Sequence, residues 1–195
     1  MTMQRERLET ELNKLLQPQR FRDYCPNGLQ VEGSTEISRL VTGVTASEAL
    51  IDRAIELNAD CLLVHHGYFW RGENQTIRGI KKKRLHKLLL NHINLFAYHL
   101  PLDAHEELGN NAQLGNLLGL VTEEVTGRPG DVAIVIIGRP EQPVTLRELQ
   151  TRVEGALNRK PIVVGDPLAQ IRRLAWCTGA GQSFFDLAVE AGVDA

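Results

Sequence analysis

The sequence predicts an α/β protein built as two related βα lobes with mixed, largely parallel sheets and a smaller α/β segment between them. Three observations predict it. Short apolar runs alternate with amphipathic helical patterns through the first half of the chain, the order expected of βαβ units. A second strand–helix–strand series recurs on a smaller scale between Val132 and Val164. Finally, Arg39–Cys61 can be laid over Arg173–Ala195 without a gap: Arg39, Leu40, Ala46, Asp52, Ala54, Glu56 and Asp60 all meet identical residues, and Leu50, Ile51 and Ile55 meet Phe184, Phe185 and Val189. An internal repeat of this kind points to a duplicated βα lobe. The expected organisation is a first lobe over 1–120, an intervening segment over 121–170, and the start of a second lobe over 171–195.

Leu8, Leu12, Leu15 and Leu16 recur at helical spacing between Met3 and Gln17, and Pro18 ends that first helix. Phe21–Gly33 reads as loop. Leu40–Thr45 reads as a strand, Ser47 as a helix N-cap, and Leu50, Ile51, Ala54, Ile55 and Leu57 as the buried face of the helix that follows. Cys61–Val64 is a short buried strand. A helix near Arg78–His92 turns Leu85, Leu88, Leu89 and Ile93 inward and leads to a strand over Asn94–Tyr98. Asn110–Leu118 forms a short helix, capped by the Asn110–Asn111 pair and closed near Gly119. Gly127-Arg128-Pro129-Gly130 marks a turn or boundary. Val132–Ile137 is apolar enough for a strand buried on both faces. Thr145-Leu146-Arg147-Glu148 fits a capping box, in which hydroxyl and carboxylate satisfy each other's free backbone amides, and opens a helix to about Leu157. Ile162–Val164 reads as another strand. In the first copy of the repeat the helix runs on into a strand, whereas the second copy stops at Ala195. The sequence is therefore expected to be an N-terminal portion of a longer protein, or to have that edge covered by a partner chain.

The 195 residues, 43% of them apolar, suffice for a core without metal or disulfide staples. A formal charge of −2 gives no global reason to bind nucleic acid or an anionic membrane. The three cysteines, Cys25, Cys61 and Cys177, lie far apart with no Cys-x-x-Cys pair, which suits apolar fillers in a reducing, cytoplasmic setting. The N-terminus has neither the apolar run of a signal peptide nor that of a membrane span.

The chemistry is sought at two strand ends. His65 and His66 close one predicted strand, while His99 and Asp103 follow the next. Adjacent parallel strands finish at the same sheet edge, where open α/β folds hold ligands. Imidazoles with a carboxylate suit zinc, iron, manganese or nickel. The same residues also read as an ordinary loop pair and a turn former. Neighbouring strand residues point to opposite sides, so His65 and His66 reach one ion only if the backbone bends, and otherwise serve two. Tyr68-Phe69-Trp70-Arg71 reads as loop or oligomer packing, with stacking of a nucleobase as the alternative. Lys81–Arg84 reads as a solvated helix face, and His86, His92 and His105 as surface or helix-end residues.

Asp23-Tyr24-Cys25-Pro26-Asn27-Gly28-Leu29-Gln30-Val31-Glu32-Gly33, Val64-His65-His66-Gly67, His99-Leu100-Pro101-Leu102-Asp103-Ala104-His105 and Gly109-Asn110-Asn111 together resemble the YbgI-like family of GTP cyclohydrolase 1 type 2 homologues. The resemblance runs from the first helix to Ala195 and is weakest between about Leu120 and Ile171. It implies two related lobes, a dinuclear divalent-metal site between them, and a ring-shaped homohexamer. Carried over by motif, His65, His66 and Asp103 match metal ligands, and His99 stands beside them as a residue that orients a ligand or water. Family members carry a further Gly-His-His-x-x-x-Glu type segment that this sequence does not contain. The expected function is a metal-dependent hydrolase acting on a nucleotide or related heterocycle. The alternative is a non-catalytic metal-binding scaffold or regulatory ring protein.

Overall fold

The computed structural model describes residues 2–128 and 133–195. Pro129 and Gly130 of the expected boundary turn, and Val132 at the expected start of a strand, lie outside the described residues. The chain divides into two compact units, Met1–Leu102 and Asp103–Ala195.

The first unit runs β1 (Met3–Gln4), α1 (Arg5–Leu16), β2 (Gly28–Val31), β3 (Glu36–Ile37), β4 (Leu40–Thr45), α2 (Glu48–Glu56), β5 (Cys61–His66), α3 (Gly79–Leu90) and β6 (Asn94–Ala97). A single helical turn, α4 (Leu100–Asp103), follows. The main sheet has the order β2-β6-β5-β4, with β4, β5 and β6 parallel and β2 antiparallel to β6. Side-chain alternation along β5 and β6 feeds two cores. Leu62, Val64, Leu95 and Ala97 meet Ile51 and Ala54 of α2 and Leu85 and Leu88 of α3. On the opposite face Cys61, Phe96 and Tyr98 meet Leu8, Leu12 and Leu16 of α1. Burial on both faces explains the unbroken apolar runs of these strands. Ser47 caps α2 as expected, its Oγ accepting from Leu50 N at 3.2 Å. Leu89, expected to face inward, is 56% exposed, because α3 buries only the stripe through Leu85 and Leu88.

Fully buried Asn94 ties the start of β6 to two loops. Its Oδ1 accepts from Gly33 N at 2.8 Å, and its Nδ2 donates to Ser34 O at 2.8 Å and Asp60 O at 3.1 Å. Asp60 in turn closes the βα segment. Its Oδ2 accepts from Ser38 N and Arg39 N, its own N donates to Arg39 O, and the Arg39 guanidinium donates to Leu57 O.

The second unit contains α5 (Asn110–Leu117), β7 (Leu120–Thr126), β8 (Val135–Pro140), β9 (Val144–Thr145), α6 (Leu146–Leu157), β10 (Gln170–Ile171), β11 (Leu174–Trp176) and α7 (Phe185–Glu190). Its sheets, β11-β8-β7 and β10-β9, are antiparallel, so parallel pairing among the described residues is confined to β4, β5 and β6. The short connection between β7 and β8 leaves no room for the crossover that parallel strands need. The capping box forms as expected: Thr145 Oγ1 accepts from Glu148 N, and Glu148 Oε2 accepts from Thr145 N at 2.7 Å. Ile162–Val164, expected as a strand, is irregular, with Ile162 97% and Val164 93% exposed. One core joins Leu114, Leu118 and Leu120 to Ile136, Leu149, Ile171, Leu174 and Trp176. That shared core is why these residues form one unit, where the sequence reading draws boundaries at 120 and 170. The clasp recurs here at the positions aligned by the repeat. Asp194 Oδ2 accepts from Arg172 N and Arg173 N, Asp194 N donates to Arg173 O, and the Arg173 guanidinium donates to Ala191 O. No helix among the described residues is long and apolar enough to cross a membrane.

Candidate metal centre

Strand β5 extends through both histidines, beyond the expected end at Val64, and its register sets Thr45 beside His66 and Val64 beside Ala97. Each imidazole is held by the strand on its own side. His65 Nδ1 lies 3.1 Å from Tyr98 O just after β6, and His66 Nδ1 lies 3.1 Å from Thr45 Oγ1 on β4. The two rings sit 4.4 Å apart, and His99, just beyond β6, stands 4.9 Å from His65 and 5.7 Å from His66. Ring nitrogens of His65, His66 and His99 lie within 4.8 Å of one another. A bend follows the pair at Tyr68, and Phe69 has a φ of +64°, unusual for a bulky side chain.

Asp23 anchors the third imidazole. Its carboxylate is 2% exposed and receives His99 Nδ1 at 2.7 Å and Tyr24 N at 2.6 Å on one oxygen, with Asn27 Nδ2 at 2.9 Å and Leu100 N at 2.8 Å on the other. Burial alone would push its pKa up. The bonds from His99, Asn27, Leu100 and Tyr24 together outweigh burial and hold it below the ordinary carboxylate value. Asn27 Oδ1 also accepts from His99 N at 2.7 Å, so both the ring and the backbone of His99 are fixed.

These partners choose tautomers. A carbonyl only accepts, so His65 Nδ1 donates to Tyr98 O and the lone pair falls on Nε2. The ionised Asp23 imposes the same state on His99. An imidazole whose Nδ1–H is held by a carbonyl or carboxylate is the usual arrangement of a metal-binding histidine. The donor set thus fits borderline divalent ions. Cys25 lies near Asp23 and His99, but burial and then the Asp23 charge push its thiol up to about 12, which keeps it protonated.

Asp103 belongs to the second unit, where it is 8% exposed. Its Oδ1 accepts from Asn110 Nδ2 at 2.8 Å and from Thr178 Oγ1 at 3.5 Å, and its carbonyl accepts from Asn111 Nδ2. Asn110 and Asn111 were expected to cap α5. The N-cap is instead Gly109, and the two amides serve Asp103, with Asn111 also donating to Ile134 O. His105 Nδ1 accepts from Glu107 N and Leu108 N within a turn, while His86 and His92 are exposed. Lys82 and Lys83 are exposed as well, and Lys81 pairs with Glu73 and stands over the Phe69 ring.

Residue pattern alone assigns no role to Asp23 or Asn27. The only signal was their presence in the motif Asp23–Gly33, since the partner they hold is 76 residues away from Asp23.

The sequence profile of Duf34/NIF3 (NGG1p interacting factor 3) matches residues 3–195. The chain belongs to the Duf34/NIF3 family. A Vibrio cholerae relative named GTP cyclohydrolase 1 type 2 homolog is 52% identical over 191 residues, covering 96% of this chain and 75% of its own. The solved structure of protein ybgI, described as of unknown function, superposes with a TM-score of 0.91 at 51% identity, over 98% of this chain and 76% of that one. TTHA1606 from Thermus thermophilus gives 0.81 at 36% identity, over 95% and 74%. The mixed α/β architecture is therefore that of the Duf34/NIF3 fold, and the family resemblance read from the four motifs is the one these comparisons find.

Proposed function

We propose that the protein is a metal-dependent hydrolase of nucleotides or related heterocycles, working through two divalent ions held by His65, His66 and Asp103. The observation that carries the reading is the convergence of three imidazoles, two of which have their Nε2 lone pairs set in advance by Tyr98 O and Asp23. The relatives named GTP cyclohydrolase 1 type 2 homolog supply the substrate class, and GTP is the first compound to assay. When bound, zinc, iron, manganese or nickel supplies Lewis acidity and an acidified water. The residues of this chain do the rest. His65 is held from just beyond β6 and His66 from β4, the Asp23–His99 pair fixes a third imidazole near those two, and Asp103 would offer a carboxylate steadied by Asn110.

The recurring Asp60 and Asp194 clasps support a duplicated βα unit as the basis of the fold. Assembly as a ring-shaped homohexamer and residence in the cytoplasm complete the reading, the latter in keeping with three unpaired thiols.

Elemental analysis of purified protein of confirmed mass, followed by GTP turnover, tests the proposal. About two ions per chain, with turnover lost in His65→Ala, His66→Ala and Asp103→Ala while the fold persists, is the expected result. Stoichiometric metal without turnover of any nucleotide would replace it with the scaffold reading, and no metal at all would end both.

A further inference from the structure

We propose that Gln30 is a positioning residue for the imidazole cluster, its carboxamide standing in for a neighbouring strand to hold the Gly67–Trp70 turn. The inference rests on the metal-binding reading of the preceding section and concerns what makes that site converge.

The β2–β6 ladder pairs Leu29 with Phe96 and Val31 with Leu95, so Gln30 is the extra residue of a β-bulge. Bulges beside functional sites re-aim a side chain. Here the re-aimed amide meets the turn that follows His66. Gln30 Oε1 accepts from Tyr68 N at 2.7 Å, and its Nε2 donates to Tyr68 O at 3.1 Å and to Pro26 O at 2.7 Å. Both backbone groups of Tyr68 are thereby paired as a strand would pair them.

The fit is close enough to dictate sequence. A Cβ on Gly67 would lie 2.2 Å from Gln30 Oε1 and 2.6 Å from Ala97 Cβ, so only glycine passes between β6 and the amide. One residue beyond Tyr68 the chain enters the left-handed region at Phe69, a conformation that persists only where its surroundings over-determine it. Gln30 supplies two of the restraints. Tyr68 OH donating to Ala46 O, Trp70 Nε1 donating to Gly67 O and Trp70 N donating to Glu73 Oε2 add further ones.

Both ends of the turn enter the cluster. His65 and His66 lead into it, and Trp70 leaves it with its ring 4.9 Å from His99 and 6.0 Å from His66. Removing the clamp therefore loosens the turn that joins the histidine strand to the indole, leaving the bonds to Thr45 and Tyr98 O as the restraints on the two rings.

The test compares Gln30→Met, which keeps the shape and loses all three bonds, and Gln30→Glu, which keeps the acceptor for Tyr68 N, with the parent chain. Leu29→Ala, a change in the same strand that does not touch the turn, serves as the stability control. Cobalt(II) titration followed by the visible d–d bands reads coordination geometry as well as affinity. Gln30→Met should weaken cobalt binding about 10–100-fold, the range for residues that orient metal ligands, and alter the band intensities. Gln30→Glu should fall between, and Leu29→Ala should lower the melting temperature with an unchanged spectrum. Affinity within twofold of the parent and an unchanged spectrum in Gln30→Met would overturn the proposal. If the parent chain binds no cobalt, the metal reading fails separately and the ring resonances of His65 and His66 in the metal-free protein decide. Displacement of those resonances by Gln30→Met upholds the positioning role, and unchanged resonances refute it.

Discussion

Replacing Asp23 by Asn keeps the shape of the side chain and reverses the polarity of one of its two oxygens. Each oxygen receives two N–H donors, so an amide nitrogen at either position faces two donors with a donor of its own. In one orientation Leu100 N loses its acceptor, and Asn27 cannot turn to help because its Oδ1 is engaged by His99 N. In the other, His99 regains a bond only by moving its proton from Nδ1 to Nε2, which removes the lone pair from the nitrogen that faces the cluster. Two charge-assisted bonds at about 1.5–3 kcal/mol each put the loss near 4 kcal/mol. A loss of that size lowers the melting temperature by about 8–16 °C in a chain of this length. Urea unfolding followed by Trp70 fluorescence in a Trp176→Phe background reads the first unit, and nitrogen-15 labelling of histidine reads the tautomer. A loss below about 1 kcal/mol with His99 still protonated at Nδ1 would refute the reasoning. The parent should also show an acid dependence that the variant lacks. Because folding lowers the pKa of Asp23, the unfolded chain takes up that proton first. Its contribution is complete above the unfolded value, near pH 4, and drains away as pH falls through the lower folded value.

Asn94→Ala leaves Gly33 N–H without its acceptor and Ser34 O without its donor, while Asp60 O keeps the backbone N–H of residue 94, and should cost about 2–3 kcal/mol in urea unfolding. Gly138→Ala would place a Cβ 2.1 Å from Val121 O and 3.0 Å from the Trp176 ring; a loss of about 2–3 kcal/mol is expected, seen as lost hydrogen-exchange protection along β7 and β8. Glu148→Ala removes half of the capping box and should destabilise α6 by about 1 kcal/mol, read from the unfolding midpoint followed by Trp176.

The parallel half of the first unit was legible because β5 and β6 are buried on both faces and α2 on one, so local apolar pattern and final burial coincide. Ser47 and the Thr145–Glu148 box were legible because caps are decided within a few residues. Strand β7 was not, since six of its seven residues are exposed or half-buried and two are glutamates. Ile162–Val164 misled in the opposite direction, being apolar yet exposed and outside every sheet formed by the described residues. At the site, His65, His66 and His99 could be placed at one sheet edge from parallel topology alone. The parts that tune them could not, because the Asp23–His99 and Gln30–Tyr68 contacts join residues 76 and 38 apart and involve loops with no periodic signal.

The same separations bear on the order in which the molecule acquires its structure. The Asp60 and Asp194 clasps each close a loop of only about two dozen residues, so little chain entropy opposes them. The Asp23–His99 bond waits on the meeting of β2 with β6, a much longer closure. In φ-value terms, Asp60→Asn should slow folding, whereas Asp23→Asn should leave the folding rate nearly unchanged and speed unfolding. On that order the cluster should assemble last, by docking onto a βα scaffold already closed on itself, and a metal ion added during refolding should accelerate nothing until that late step is reached.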